Sequence, residues 1–177
     1  VWFNRGAAAS QEYARRFNNR RPDDVGWPAF KWLSRGLWEA MQTFIARANG
    51  TKFGLRVAAY ELNYRPVLEA LKTASEDGAD VQIIYDARNT KLAANTRAAV
   101  SAAGISNLCS ERKSNPSAIA HNKFIILLKN HQPISVWTGS TNFSEGGIFG
   151  HSNVGHEVRN IEVAKKYLAY WKMLKGD

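Results

Sequence analysis

Residues 53 to 85 hold two short apolar runs on either side of one amphipathic stretch, and this order restricts the chain's architecture more than any other feature. Phe53 to Tyr60 reads as a buried strand, Pro66 to Glu76 as a helix with proline in its first turn, and Asp77-Gly78 as that helix's stop. Val81 to Tyr85 is the second strand. A helical crossover of about ten residues cannot make a hairpin; it joins the strands as a right-handed βαβ unit with parallel strands. Such a unit commits the chain to a sheet with helices laid on it.

The rest of the sequence extends the same pattern. Thr90 to Ala103 is an Ala-rich helix stopped by Gly104, Ile105 to Leu108 and Ala118 to Leu128 read as strands, and so do Val136 to Gly139 and Val154 to Val158. Val163 to Leu174 is a closing helix. Upstream, Phe30, Leu33, Leu37, Met41, Phe44, Ile45 and Ala48 recur at spacings of three and four, which predicts one amphipathic helix from Pro28 to Ala48, ending near Gly50. Trp27, Trp32 and Trp38 are read as core or interface rather than as base-stacking platforms, because aromatics at helical spacing usually pack. Arg15, Arg16, Arg20 and Arg21 crowd the segment before it, which suits either a phosphate backbone or a solvated helix and turn. The expected organisation is a helical segment over 1–50 followed by an α/β domain over 51–177, with a mixed, mostly parallel sheet.

At 177 residues the chain fits one domain. Its longest apolar run, Phe124 to Leu128, falls far short of the roughly 20 residues that cross a bilayer, and Val1 to Gly50 lacks the basic start and uninterrupted apolar stretch of a secretory signal. The start at Val1 and the end at Lys175-Gly176-Asp177 lead to the expectation of a piece of a longer protein. Cys109 is alone, so no intrachain disulfide or cysteine-based zinc site can form, and a reducing, cytoplasmic setting is expected. A net charge of +9 favours anionic partners.

Chemistry concentrates in two places. In Ala120-His121-Asn122-Lys123, read as strand, His121 and Lys123 share one face while Phe124, Ile126 and Leu128 take the other. At the end of the next strand, Gly139-Ser140-Thr141-Asn142 offers a tight turn, a hydroxyl, an amide and backbone N–H groups. Together these residues suit attack on a phosphodiester: a neutral imidazole as nucleophile, a lysine to offset charge, and donors to orient the nonbridging oxygens. No metal or other cofactor is needed for that set. His151 and His156, near Glu157, are the competing metal ligands, but on a strand they point to opposite faces.

HxK followed by GSxN, after a strand ending in Tyr60-Glu61 and a βαβ unit ending in Ile83-Ile84-Tyr85-Asp86, resembles the phospholipase D superfamily, whose motif reads HxKxxxxD with GSxN downstream. The resemblance spans roughly residues 53 to 174. It implies an α/β/α sandwich and metal-independent phosphodiester cleavage through a covalent phosphohistidine. By that resemblance His121 is the nucleophile, or the acid if roles are exchanged between halves. Lys123 and Asn142 bind phosphate, with Gly139 and Ser140 supporting them. Two positions depart from the pattern: the motif's aspartate is replaced by Leu128, and Asn153 stands where many nuclease-like members carry glutamate, with Glu157 as a substitute candidate. The family chemistry uses two HxK histidines, and of the four histidines here only His121 has lysine two residues on. The expected partner is a second HxK motif, from a homodimer or from a downstream half. The substrate would be a phospholipid or nucleic acid, the Trp-rich helix suiting a membrane surface and the charge a polyanion. The alternative is a catalytically silent phosphate-binding or dimerisation module.

Overall fold

The two apolar runs form β2 (Phe53–Ala59) and β3 (Asp80–Asp86), which pair in parallel with α5 (Arg65–Glu76) crossing between them. The computed structural model describes residues 1–6, 10–88, 90–113 and 120–176. Pro66 lies in the first turn of α5, where its missing N–H leaves no bond unmade, and Val67, Leu68, Leu71 and Ala74 are the buried side. A second crossover, α6 (Thr90–Ala102), leads to β4 (Cys109–Arg112), again parallel to β3. The strand expected over Ile105 to Leu108 is instead a 3₁₀ turn at Ser106–Leu108, with β4 beginning just after it. Ser106 and Asn107 are turn formers, which explains the shift.

Beyond this point the sheet changes direction. β5 (Lys123–Lys129) lies antiparallel to β2 and to β6 (Gln132–Gly139), and β6 is antiparallel to β7 (Val154–Val158). The β5–β6 connection is a two-residue hairpin in which Asn130 and His131 are both left-handed, with φ of 48° and 63°. Ala118, where a strand was expected to start, lies outside the described residues, and His121 and Asn122 precede β5 as extended chain. A short strand that the sequence pattern did not suggest, β1 (Trp2–Phe3), adds antiparallel to β7 and stacks Trp2 on Trp137 at 5.4 Å. The seven strands run β1-β7-β6-β5-β2-β3-β4. The sheet is mixed, as expected, but its parallel pairing is confined to β2–β3 and β3–β4.

Alternation along the strands sorts side chains onto two faces. Leu55, Val57, Ile83, Ile125, Leu127 and Trp137 join a core shared with the helices upstream of β4, while Ala58, Ile84, Phe124, Ile126, Leu128 and Val136 pack under α7 (Ile161–Gly176). Trp171 of α7 donates its indole N–H to the carbonyl of Val57 at 2.9 Å. This is an α/β/α sandwich. No helix among the described residues is long and apolar enough to cross a membrane.

The N-terminal helices are α1 (Gln11–Phe17), α2 (Pro22–Val25), α3 (Trp27–Ser34) and α4 (Leu37–Ala46). The single helix expected from Pro28 to Ala48 is broken at Arg35 and Gly36, both left-handed. Ser34 restarts it: its hydroxyl accepts from the Trp38 N–H at 2.9 Å and donates to Glu39 at 2.7 Å. Trp38 is buried and Trp32 half-buried, as the packing reading predicts, whereas Trp27 is exposed.

Candidate active site

Antiparallel pairing of β2 with β5 sets Ala59 opposite Lys123, so the residues that follow β2 meet those that precede β5. Tyr60 is the meeting point. The His121 ring stands edge-on to it at 4.6 Å, and the Lys123 ammonium lies 5.3 Å from its centroid. His121 and Lys123 therefore converge on one side, although His121 lies ahead of the strand and its ring is exposed. Lys123 folds back and donates to the His121 carbonyl at 2.9 Å.

Burial decides the electrostatics here. Lys123 is only 7% exposed, and burial lowers its pKa to about 8, with Glu61 opposing. Desolvation, followed by the charge of Lys123, lowers the pKa of His121, and Glu61 again opposes. The imidazole is thus held neutral at pH 7, beside a cation.

The Gly139-to-Asn142 turn reaches the same end of the sheet through backbone bonds. Phe143 N–H donates to the Glu61 carbonyl, and Asn63 and Tyr64 N–H to the Phe143 carbonyl, each at 3.1 Å, which ties the loop after β6 to the loop after β2. Gly139 has φ +150°, and a Cβ there would lie 2.1 Å from the Val154 carbonyl oxygen, so only glycine fits. Asn142 is clamped by Gly147, where a Cβ would come within 2.6 Å of the Asn142 carbonyl. The Asn142 side-chain oxygen is buried with no hydrogen-bond partner.

Asn153 and Glu157 both have partners within the chain. Asn153 accepts from the Ser140 hydroxyl at 2.8 Å and donates to the Gly147 carbonyl at 2.8 Å, so its amide braces the loop that carries Ser140 and Asn142. Glu157 does not reach the cleft. Its carboxylate is held by Arg159 and by Arg47, just past the end of α4, which keep its pKa below the usual range despite burial. Glu157 thus bridges β7 to the end of α4. Leu128, in place of the motif's aspartate, is 4% exposed and packs under α7, on the face away from Lys123. Among the described residues no group of three metal-ligating side chains converges.

Several residues enter the site that the motif reading did not assign. Tyr60 and Glu61 were visible only as a strand end. Asn4 is buried; its side-chain oxygen accepts from Asn153 N–H at 2.6 Å, and its amide donates to the carbonyls of Ile148 at 2.6 Å and His151 at 2.8 Å. His121, Lys123, Thr138 and Gly139 also line a cleft of about 380 Å³ whose far wall is α7, with Lys166, Tyr167 and Tyr170. These came from elements distant in sequence, which only the fold brings together.

A mixed α/β/α sandwich with a histidine–lysine pair at the end of its central strands defines the class. The chain belongs to the phospholipase D superfamily: the family model described as cardiolipin synthase, PLD-like domain, matches residues 44–175. It is similar in structure to a phospholipase D family member, Nuc from Salmonella typhimurium, with a TM-score of 0.60 at 23% identity over 76% of this chain and 86% of that one. NucT from Helicobacter pylori gives a TM-score of 0.62 at 19% identity, covering 81% and 89% of the two chains. Polyphosphate kinase from Porphyromonas gingivalis gives 0.54 at 16% identity, over 84% of this chain and 24% of that chain. No curated protein matches the sequence.

Proposed function

We propose that this chain supplies one half of a metal-independent phosphodiesterase site. An imidazole nitrogen of His121 attacks phosphorus and the bond to the leaving oxygen breaks, while that oxygen takes a proton from the histidine of a second HxK motif. Water then attacks the phosphohistidine, passing its proton to the same second histidine and freeing His121. Lys123 offsets charge on the nonbridging oxygens, and the Asn142 amide with the Ser140 turn orients them. The observation that carries this reading is the convergence of a neutral His121 and a buried cationic Lys123 on Tyr60.

The test is a turnover assay in EDTA with bis(p-nitrophenyl) phosphate, single-stranded DNA and phosphatidylglycerol vesicles as substrates. Turnover that resists EDTA and is lost in His121→Ala is expected. A trapped 32P-labelled intermediate should be acid-labile and absent from that variant. If a dimeric or full-length sample turns over none of the three, the chain is instead a silent phosphate-binding module of the same fold.

A further inference from the structure

The His121 cleft extends beyond the groups that would hold one phosphate. Across from His121, Lys166 and Tyr170 stand one turn apart on α7, so they face the cleft together. Both are exposed, Tyr170 at 43%, and neither the Lys166 ammonium nor the Tyr170 hydroxyl has a hydrogen bond or ion pair among the described residues. Tyr167 between them is fixed in place: its ring meets Phe124 edge-on at 5.0 Å and its hydroxyl lies 3.3 Å from Thr138 Oγ1. The Tyr170 ring lies 6.1 Å from Phe124 at a tilt of 36° and keeps its outer side exposed, so the cleft pairs a rigid aromatic wall with a partly exposed aromatic ring and a cation, next to the proposed nucleophile.

We propose that this cleft is a subsite for one nucleoside unit of a single-stranded nucleic acid, with a base on Tyr170 and a neighbouring backbone phosphate on Lys166. This rests on the phosphodiesterase reading of His121 and adds its substrate class. Every base offers a π face to an aromatic ring, and a nucleic acid repeats its phosphates, so an anion bound at Lys123 brings another into reach of a second cation. An acyl chain would want an aliphatic groove, whereas this lining mixes tyrosine faces with Thr138, Asn122 and Lys166. In a duplex the bases are stacked inside and reach Tyr170 only after flipping out, which favours single strands. The net charge of +9 suits the same polyanion.

The experiment measures the affinity of the full chain for a labelled single-stranded DNA octamer by fluorescence anisotropy, and for inorganic phosphate by calorimetry. Tyr170→Ala should weaken octamer binding by about tenfold, the size of one lost base stack, and Tyr170→Phe should restore it. Lys166→Ala should lower the salt dependence of octamer binding by about one phosphate contact. Phosphate affinity should stay unchanged in both Tyr170 variants. Octamer affinity unaffected by both alanine variants, equal affinity for duplex, or preferential binding to phosphatidylglycerol vesicles would overturn the subsite. Failure of the catalytic reading shows separately: octamer binding sensitive to Tyr170 without turnover of bis(p-nitrophenyl) phosphate leaves the subsite standing and removes the chemistry.

Discussion

Lys123 carries a conflict between stability and binding that can be measured at a single side chain. Burial takes its pKa from the ordinary 10.5 to about 8, so below pH 8 the folded state bears the full cost of a charged ammonium held away from water. Between about 8 and 10.5 the unfolded chain binds more protons than the folded one, and this group's contribution to stability therefore rises with pH across that window. Lys123→Met should be more stable than the parent by ~1–3 kcal/mol in urea unfolding at pH 7, with the difference fading towards pH 10.5. The same variant should lose phosphodiester turnover. Sulfate keeps its charge over this range, so its affinity for the parent chain should fall as pH rises through about 8. In Lys123→Arg that fall should disappear, because guanidinium does not titrate there. A flat sulfate profile in the parent chain would place Lys123 outside the anion site.

At the scale of elements, the loop between β6 and β7 is held from outside the segment that matches the family. The match begins at residue 44, yet Asn4, at the end of β1, bonds to Asn153, Ile148 and His151 and so spans the Gly146–Gly150 π-helical turn. Asn153 passes that restraint to Ser140. Asn4→Ala leaves buried backbone groups unmatched and should cost about 2 kcal/mol in urea unfolding. It should also reduce turnover by loosening the Ser140–Asn142 turn, with KM rising less than kcat falls. Asn4→Asp should not rescue either effect, since it keeps the acceptor for Asn153 but loses both donated bonds. Wild-type kcat in a destabilised Asn4→Ala chain would confine Asn4 to a structural role.

At the scale of the molecule, one HxK histidine cannot both attack phosphorus and protonate the leaving oxygen in the same step. A half-site of this kind needs a second motif brought opposite the first, and a twofold dimer supplies it by meeting its own copy. The isolated monomer is expected to be inactive, and specific activity should climb with concentration as light scattering shows the mass doubling. The surface around His121 should be the contact, so Asn122→Arg beside it should depress both dimerisation and turnover. EDTA-resistant turnover from a strictly monomeric sample, abolished by His121→Ala, would locate the proton donor within this chain.

Local chemistry was enough to read the βαβ unit, the helical crossovers, the apolar face of β5 and the pairing of HxK with GSxN, because each depends on residues a few positions apart. The break at Arg35-Gly36 was present in the sequence too, masked by an apolar period that runs on across it. Sequence could not show the order of strands, since any strand with one buried face can pair with several others. That order decided the site. Setting β5 antiparallel beside β2 brought Tyr60 and Glu61 to His121, while β1 at the far edge carried Asn4 to Asn153. It also brought Arg47 to Glu157, which Arg159 two residues along already pairs; the local partner is close in sequence, whereas the distant one is fixed only when the helices pack.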